Sequence, residues 1–146
     1  MGFISAIDIS ASGLRAQRLR MRIISSNLAN VSTTRTPEGG PYKRKQPVFA
    51  ASPSALSSFS SILDQEISNN IRDVQVLEIV EDKREAKQIY DPSHPDSNSM
   101  GYVAMPNINL IEEMADLLSA TRSYEANVTV IEAAKEMARK SMEIGR

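Results

Sequence analysis

The C-terminal stretch constrains this chain most. Leu110, Leu117, Tyr124, Ile131 and Ala138 recur every seven positions, while Met114, Thr121, Val128 and Met142 fill the alternate positions and Lys135 is the one charged intruder. Apolar residues at this spacing form one narrow stripe along a helix. Neither Gly nor Pro interrupts the run before Gly145. The spacing predicts a helix over 107–145, about 57 Å long at a rise of about 1.5 Å per residue. Asn109 with Glu112 three residues on reads as a capping box at its start. Acidic Glu112, Glu113 and Asp116 suit the positive helix start, and Lys135, Arg139 and Lys140 its negative end.

A weaker copy of the pattern opens the chain. Ile7, Leu14, Met21 and Leu28 are seven apart, with Ile4 and Ala11 three before two of them, and Arg18 and Ser25 in the remaining positions. This predicts a second helix over 3–31, about 43 Å long, with Ser5 and Asp8 as a capping pair at its start. Two long helices with narrow stripes pose a burial problem. Each fully buried Leu or Ile gains roughly 1.5–3 kcal/mol. The stripes can pair with each other, but each helix keeps an open flank that other chains would cover. The alternative is a monomeric helical hairpin carrying a β domain.

Between the helices the composition changes. Thr33 to Pro41 is dense in helix-stopping residues. Tyr42–Phe49 and Val74–Val80 read as strands. Residues 50–70 are rich in Ser and Ala, with Ile62 and Ile67 the few strong apolar residues, and read as a mobile loop or loosely paired arm. Tyr90 to Asn98 reads as an extended connector, because Pro92 and Pro95 disfavour helix in the residues before them. The expected fold class is α+β: long N- and C-terminal helices packed as a coiled-coil-like pair, with a small β-rich and partly flexible middle domain. The boundaries are 1–34 and 107–146 for the two helices of one assembly domain, and 35–106 for the middle.

Charge is distributed unevenly. Residues 1–47 carry eight Lys/Arg against two acids and residues 48–146 carry nine against sixteen, although the whole chain is −1. A basic head and an acidic remainder can attract each other, within one molecule or between neighbours; the alternative is two ordinary solvated faces. The same balance speaks against a nucleic-acid role for Arg15, Arg18, Arg20 and Arg22. Arg35 with Tyr42-Lys43-Arg44-Lys45 reads as a charged edge strand or a contact for an acidic neighbour. With no Cys in the chain, thiolate metal sites and thiol nucleophiles are excluded. His94, the one histidine, sits in a loop without partners for a metal site or a base. Asp91 and Asp96 read as solvated turn residues. No catalytic, cofactor-binding or metal residues are expected. The start has neither a basic n-region nor a long apolar run, so no cleaved signal peptide is expected. A membrane-surface helix would need a wider apolar face with Trp or Phe, and a hydrolase would need a nucleophile–base pair that cannot be named.

Both ends carry a resemblance. Ser25-Ser26-Asn27-Leu28-Ala29-Asn30-Val31-Ser32-Thr33-Thr34 resembles the N-terminal signature of the flagellar axial family, the rod, hook and hook-associated proteins. Gly101-Tyr102-Val103-Ala104-Met105-Pro106-Asn107-Ile108-Asn109-Leu110-Ile111-Glu112-Glu113-Met114 and Ala120-Thr121-Arg122-Ser123-Tyr124-Glu125-Ala126-Asn127 resemble the family's C-terminal helix. The connector Tyr90-Asp91-Pro92-Ser93-His94-Pro95-Asp96 is most similar to short proximal rod members. The resemblance implies a structural rod subunit and not an enzyme. It implies a hollow tube in which terminal helices pack in concentric layers, and export through the flagellar type III apparatus without cleavage. The implied location is the basal body, in the rod that spans the periplasm. The implied partners are other rod proteins, copies of the same chain, and basal-body ring and export-gate components, with no nucleic acid, no membrane insertion and no cofactor. Assembly residues are then expected in Ile7, Leu14, Met21 and Leu28 on one helix and Leu110, Met114, Leu117, Tyr124, Val128 and Ile131 on the other. The amides of Asn27 and Asn30, three apart, would hydrogen-bond across subunits or turn the chain at the helix exit.

Overall fold

A computed structural model of the chain describes residues 3–51 and 72–144. Among the described residues two helices and four short strands follow in the order α1 (Phe3–Ala29), β1 (Lys45–Ala51), β2 (Val74–Glu81), β3 (Lys87–Tyr90), β4 (Tyr102–Met105) and α2 (Leu110–Ile144). The α+β class holds, with the helices at the two ends. The Ser-rich arm expected around residues 50–70 falls largely outside the described residues.

The helices form where the periodicity places them, and their ends follow local chemistry. Asn109 caps α2, its side-chain oxygen accepting from the Ile111 amide at 3.1 Å. Asn30 closes α1, its side-chain amide donating to the Ser26 carbonyl at 2.8 Å. At the other end α1 begins at Phe3. Ser5 therefore lies inside the helix and not at its cap. The side chains of residues 3–5 are outside the description.

The two helices run antiparallel. Asn27 meets Glu113, Arg20 meets Asp116, Met21 meets Thr121, and Gly13 lies against Asn127. The seam differs from the expected one by a rotation. On α2 it joins the half-buried row Leu117, Tyr124, Ile131 and Ala138 to the row Glu113, Ala120, Asn127 and Ala134. Glu113, Ala120 and Ala134 are buried. The expected alternate row lies to one side, Thr121 and Val128 half-buried, Met114 and Met142 exposed. On α1 the buried face is Ser12, Ala16, Ile23, Ile24 and Asn27. Small side chains let the helix axes approach, and the larger apolar ones are left on the flanks. Gly13 sits in a tight contact: a Cβ there would stand 3.0 Å from Asn127 Oδ1.

The strands form two separate antiparallel ribbons. In the first, Lys45 pairs with Glu81 and Ala51 with Val74, with an irregularity between Val48 and Phe49. This ribbon packs on α1, and the Val74 amide donates to Ser12 Oγ at 3.1 Å. Pro47 is tolerated because a two-stranded ribbon has a free edge on each strand. The second ribbon, β3–β4, was absent from the sequence expectation. Its four-residue strands are too short to show an alternation. Residues 91–100 between them are a compact turn and not an extended connector. Asp91 Oδ1 accepts from the Ser93 amide and hydroxyl, His94 Nδ1 accepts from the Asp96 amide, and Asn98 Oδ1 accepts from the Met100 and Tyr102 amides. Side-chain acceptors replace strand partners here, which lets Pro-containing chain fold back on itself. Thr34 Oγ1 donates to Asp96 at 2.7 Å, joining this turn to the exit of α1.

Candidate assembly site

Where α1, α2 and β1 meet, a polar cluster is sealed from water. Glu113 and Asn27 are each only 1% exposed. Glu113 accepts from Arg44 Nε at 2.5 Å through one carboxylate oxygen and from Asn27 Nδ2 at 3.0 Å through the other. Asn27 also donates to the Lys45 carbonyl at 2.9 Å, while its oxygen accepts from the Lys45 amide at 2.9 Å and from the Tyr42 hydroxyl at 3.2 Å. The amide thus stands in for a strand partner at the first residue of β1. Asp116 extends the cluster outward, 2.9 Å from Arg20 and 3.9 Å from Arg44. Turned with its oxygen toward Arg44, the Gln46 amide adds an acceptor. Alternating charges, with both Glu113 carboxylate oxygens hydrogen-bonded, make a buried ion pair tolerable.

The cluster explains several residues differently from their sequence reading. Arg44 is not a charged edge-strand residue, because burial of Glu113 requires a cation beside it. Arg20 turns inward, away from Arg15, Arg18 and Arg22, which are exposed. Asn27 and Asn30 do not act together: Asn27 is spent inside the chain, while Asn30 bonds Ser26 and accepts from Thr33 Oγ1 at 3.1 Å. Glu113, Arg44 and Tyr42 were missed as a unit. The available signal was a carboxylate on the same seven-residue row as Ala120, Asn127 and Ala134.

The remaining expected residues sit at the surface or the seam margin. Ile7, Leu14, Met21, Leu28, Leu117, Tyr124, Val128 and Ile131 are half-buried. Leu110 and Met114 are 47% and 56% exposed, and beside them Ile111 and Leu118 are 78% and 54% exposed. These four form a continuous apolar patch on the first turns of α2. Val130, Met137 and Met142 are exposed farther along. Among the described residues no group of three or more His, Asp or Glu is placed to hold a metal ion, and no helix is long and apolar enough to cross a membrane. His94 serves the turn as an acceptor.

Comparison with known proteins agrees with this layout. Residues 7–35 match the family described as Flagella basal body rod protein, and residues 100–144 match Flagellar basal body rod FlgEFG protein C-terminal. The two matched segments cover α1 from Ile7 onward and the whole of α2, with Asn27 in one and Glu113 in the other. The chain is 47% identical to the flagellar basal-body rod protein FlgC of Borreliella burgdorferi, over 99% of this chain and 98% of that protein. It is 47% identical to FlgC of Bacillus subtilis over 97% of each. It is 34% identical to FlgC of Salmonella typhimurium over the full length of both. Matched at both ends by rod-protein families and along its length by these relatives, the chain belongs to the flagellar basal-body rod protein family, with its FlgC members.

Proposed function

We propose that this chain is a structural subunit of the flagellar basal-body rod, polymerising through its terminal helices into a hollow tube that transmits rotation. One observation carries this reading. The helix pair closes on small residues and leaves Leu110, Ile111, Met114 and Leu118 uncovered on one side of α2. Covering each would gain about 1–2 kcal/mol, several in total, and a patch of this kind on a slender molecule calls for another chain. The half-buried rows of Ile7, Leu14, Met21 and Leu28 and of Leu117, Tyr124, Val128 and Ile131 border the same contacts. Residues 1–34 and 107–146 then act as one assembly domain and 35–106 as the part presented beside it. Export through the flagellar type III apparatus without cleavage, and a place in the rod across the periplasm, fit a helix pair that completes its burial only on assembly. Other rod proteins, ring components and the export gate are the partners in this reading, and no catalysis is involved.

Sedimentation velocity and electron microscopy of the purified chain, alone and mixed with other rod proteins, test it. Concentration-dependent tubes or mixed complexes are expected. A chain that stays monomeric in every mixture overturns the reading.

A further inference from the structure

The charge imbalance between the two ends is only partly neutralised inside the molecule. Arg20, Arg44 and Lys45 find Asp116, Glu113 and Glu81. Asp8, Arg15, Arg22 and Ala29, seven residues apart on the face of α1 turned away from α2, are all exposed. Leu118, Glu125, Glu132 and Arg139 form an equally spaced exposed row on α2. Among the described residues Asp8, Arg15, Arg22, Glu125 and Glu132 have no ion-pair partner, and Arg139 bonds only its own helix neighbour Glu136, at 2.9 Å.

Laid antiparallel, these rows are complementary at every position. Asp8 faces Arg139, Arg15 faces Glu132, Arg22 faces Glu125, and the small Ala29 receives the large Leu118. Both rows repeat at about 10.5 Å, so one registration satisfies all four. A parallel arrangement that keeps Arg15 and Arg22 on glutamates sets Asp8 against Leu118 and Ala29 against Arg139, matching two of the four. The rows cannot meet within one molecule, because the intrachain pairing sets Asn27 beside Glu113 and Arg20 beside Asp116. That register leaves Ala29 and Leu118 well apart along the helix pair.

We infer that the outer row of α1 docks antiparallel on the outer row of α2 of a second copy of this chain, with Arg15 and Arg22 on Glu132 and Glu125. The contact is heterologous: each molecule keeps one unused row, so association can propagate from copy to copy. Exposed ion pairs individually are weak and screened by salt; three in one register, with Leu118 seated on Ala29, choose the orientation and offset. The inference rests on the assembly reading above and supplies its register.

A charge swap tests it, read by sedimentation. Arg15→Glu with Arg22→Glu should raise the concentration needed for self-association at least tenfold. Adding Glu125→Arg and Glu132→Arg to the same chain should restore it. Because the chain has no cysteine, Ala29→Cys and Leu118→Cys, placed on separate chains and mixed under oxidising conditions, should give a disulfide-linked heterodimer. An unchanged chain that assembles while the arginine reversal has no effect, or while the swap fails to restore association and the two cysteines do not cross-link, overturns this register and leaves the assembly reading standing. Circular dichroism of the reversed chain matching the unchanged one shows that the loss lies in association and not in folding. An unchanged chain that never associates removes both.

Discussion

At Glu113 a carboxylate is held almost entirely out of water by three elements. Removing its charge leaves the Arg44 guanidinium with only Asp116, 3.9 Å away, as counter-ion, so Glu113→Ala is expected to cost about 3 kcal/mol. Asn27→Ala removes the side-chain partner of the Lys45 amide and carbonyl and leaves the Tyr42 hydroxyl only Ser26, and should cost about 1–3 kcal/mol. Replacing Asn27, Arg44 and Glu113 together with apolar residues of similar size should cost less than Glu113→Ala alone, since no unpaired charge then remains. Urea-unfolding midpoints rank the three variants, and a triple variant that is the least stable would refute the account. None of these partners was legible beforehand. Arg44 and Glu113 are 69 residues apart, and no periodic pattern links a strand residue to a particular turn of a distant helix.

Among the elements, the helices were legible and their facing was not. Met114 and Val128 outrank Glu113 and Asn127 in hydrophobicity, yet close antiparallel packing selects the row of Glu113, Ala120, Asn127 and Ala134. Where Gly13 lies against Asn127, Gly13→Leu should force the pair apart and cost about 1–3 kcal/mol, visible as a lowered thermal midpoint with helix content kept in the native state. The β3–β4 turn makes a separate prediction. Hydrogen bonds from the Ser93 hydroxyl, then the Ser93 amide, hold the Asp91 carboxyl below its ordinary range. Its contribution is therefore fully present above the unfolded value of about 3.9 and is lost as pH falls through the lower folded value. Protection of the Ser93 amide against proton exchange, relative to its intrinsic rate, should fall selectively below about pH 4. Protection unchanged down to the acid transition of the whole protein would show that the turn does not depend on this carboxylate.

For the whole molecule, the decisive property is apolar surface that one chain does not hide. Ile111→Lys with Met114→Lys should leave the helix content and unfolding midpoint of the lone chain nearly unchanged, because both positions are exposed. The same pair should abolish incorporation into tubes or mixed complexes by sedimentation. A folded variant that assembles as well as the original would remove this patch from the interface.

Two long end helices and a β-bearing middle follow from the heptad spacing and from the turn residues between them, because periodicity is a local property of the chain. The family is legible for the same reason, since its signatures are contiguous runs at the two ends. Which stripe of each helix faces inward, where Arg44 comes to rest, and the folded turn at residues 91–100 were decided only when distant segments met. Each depends on fit and on the neutralisation of a buried charge, and neither quantity exists until the partners share a site.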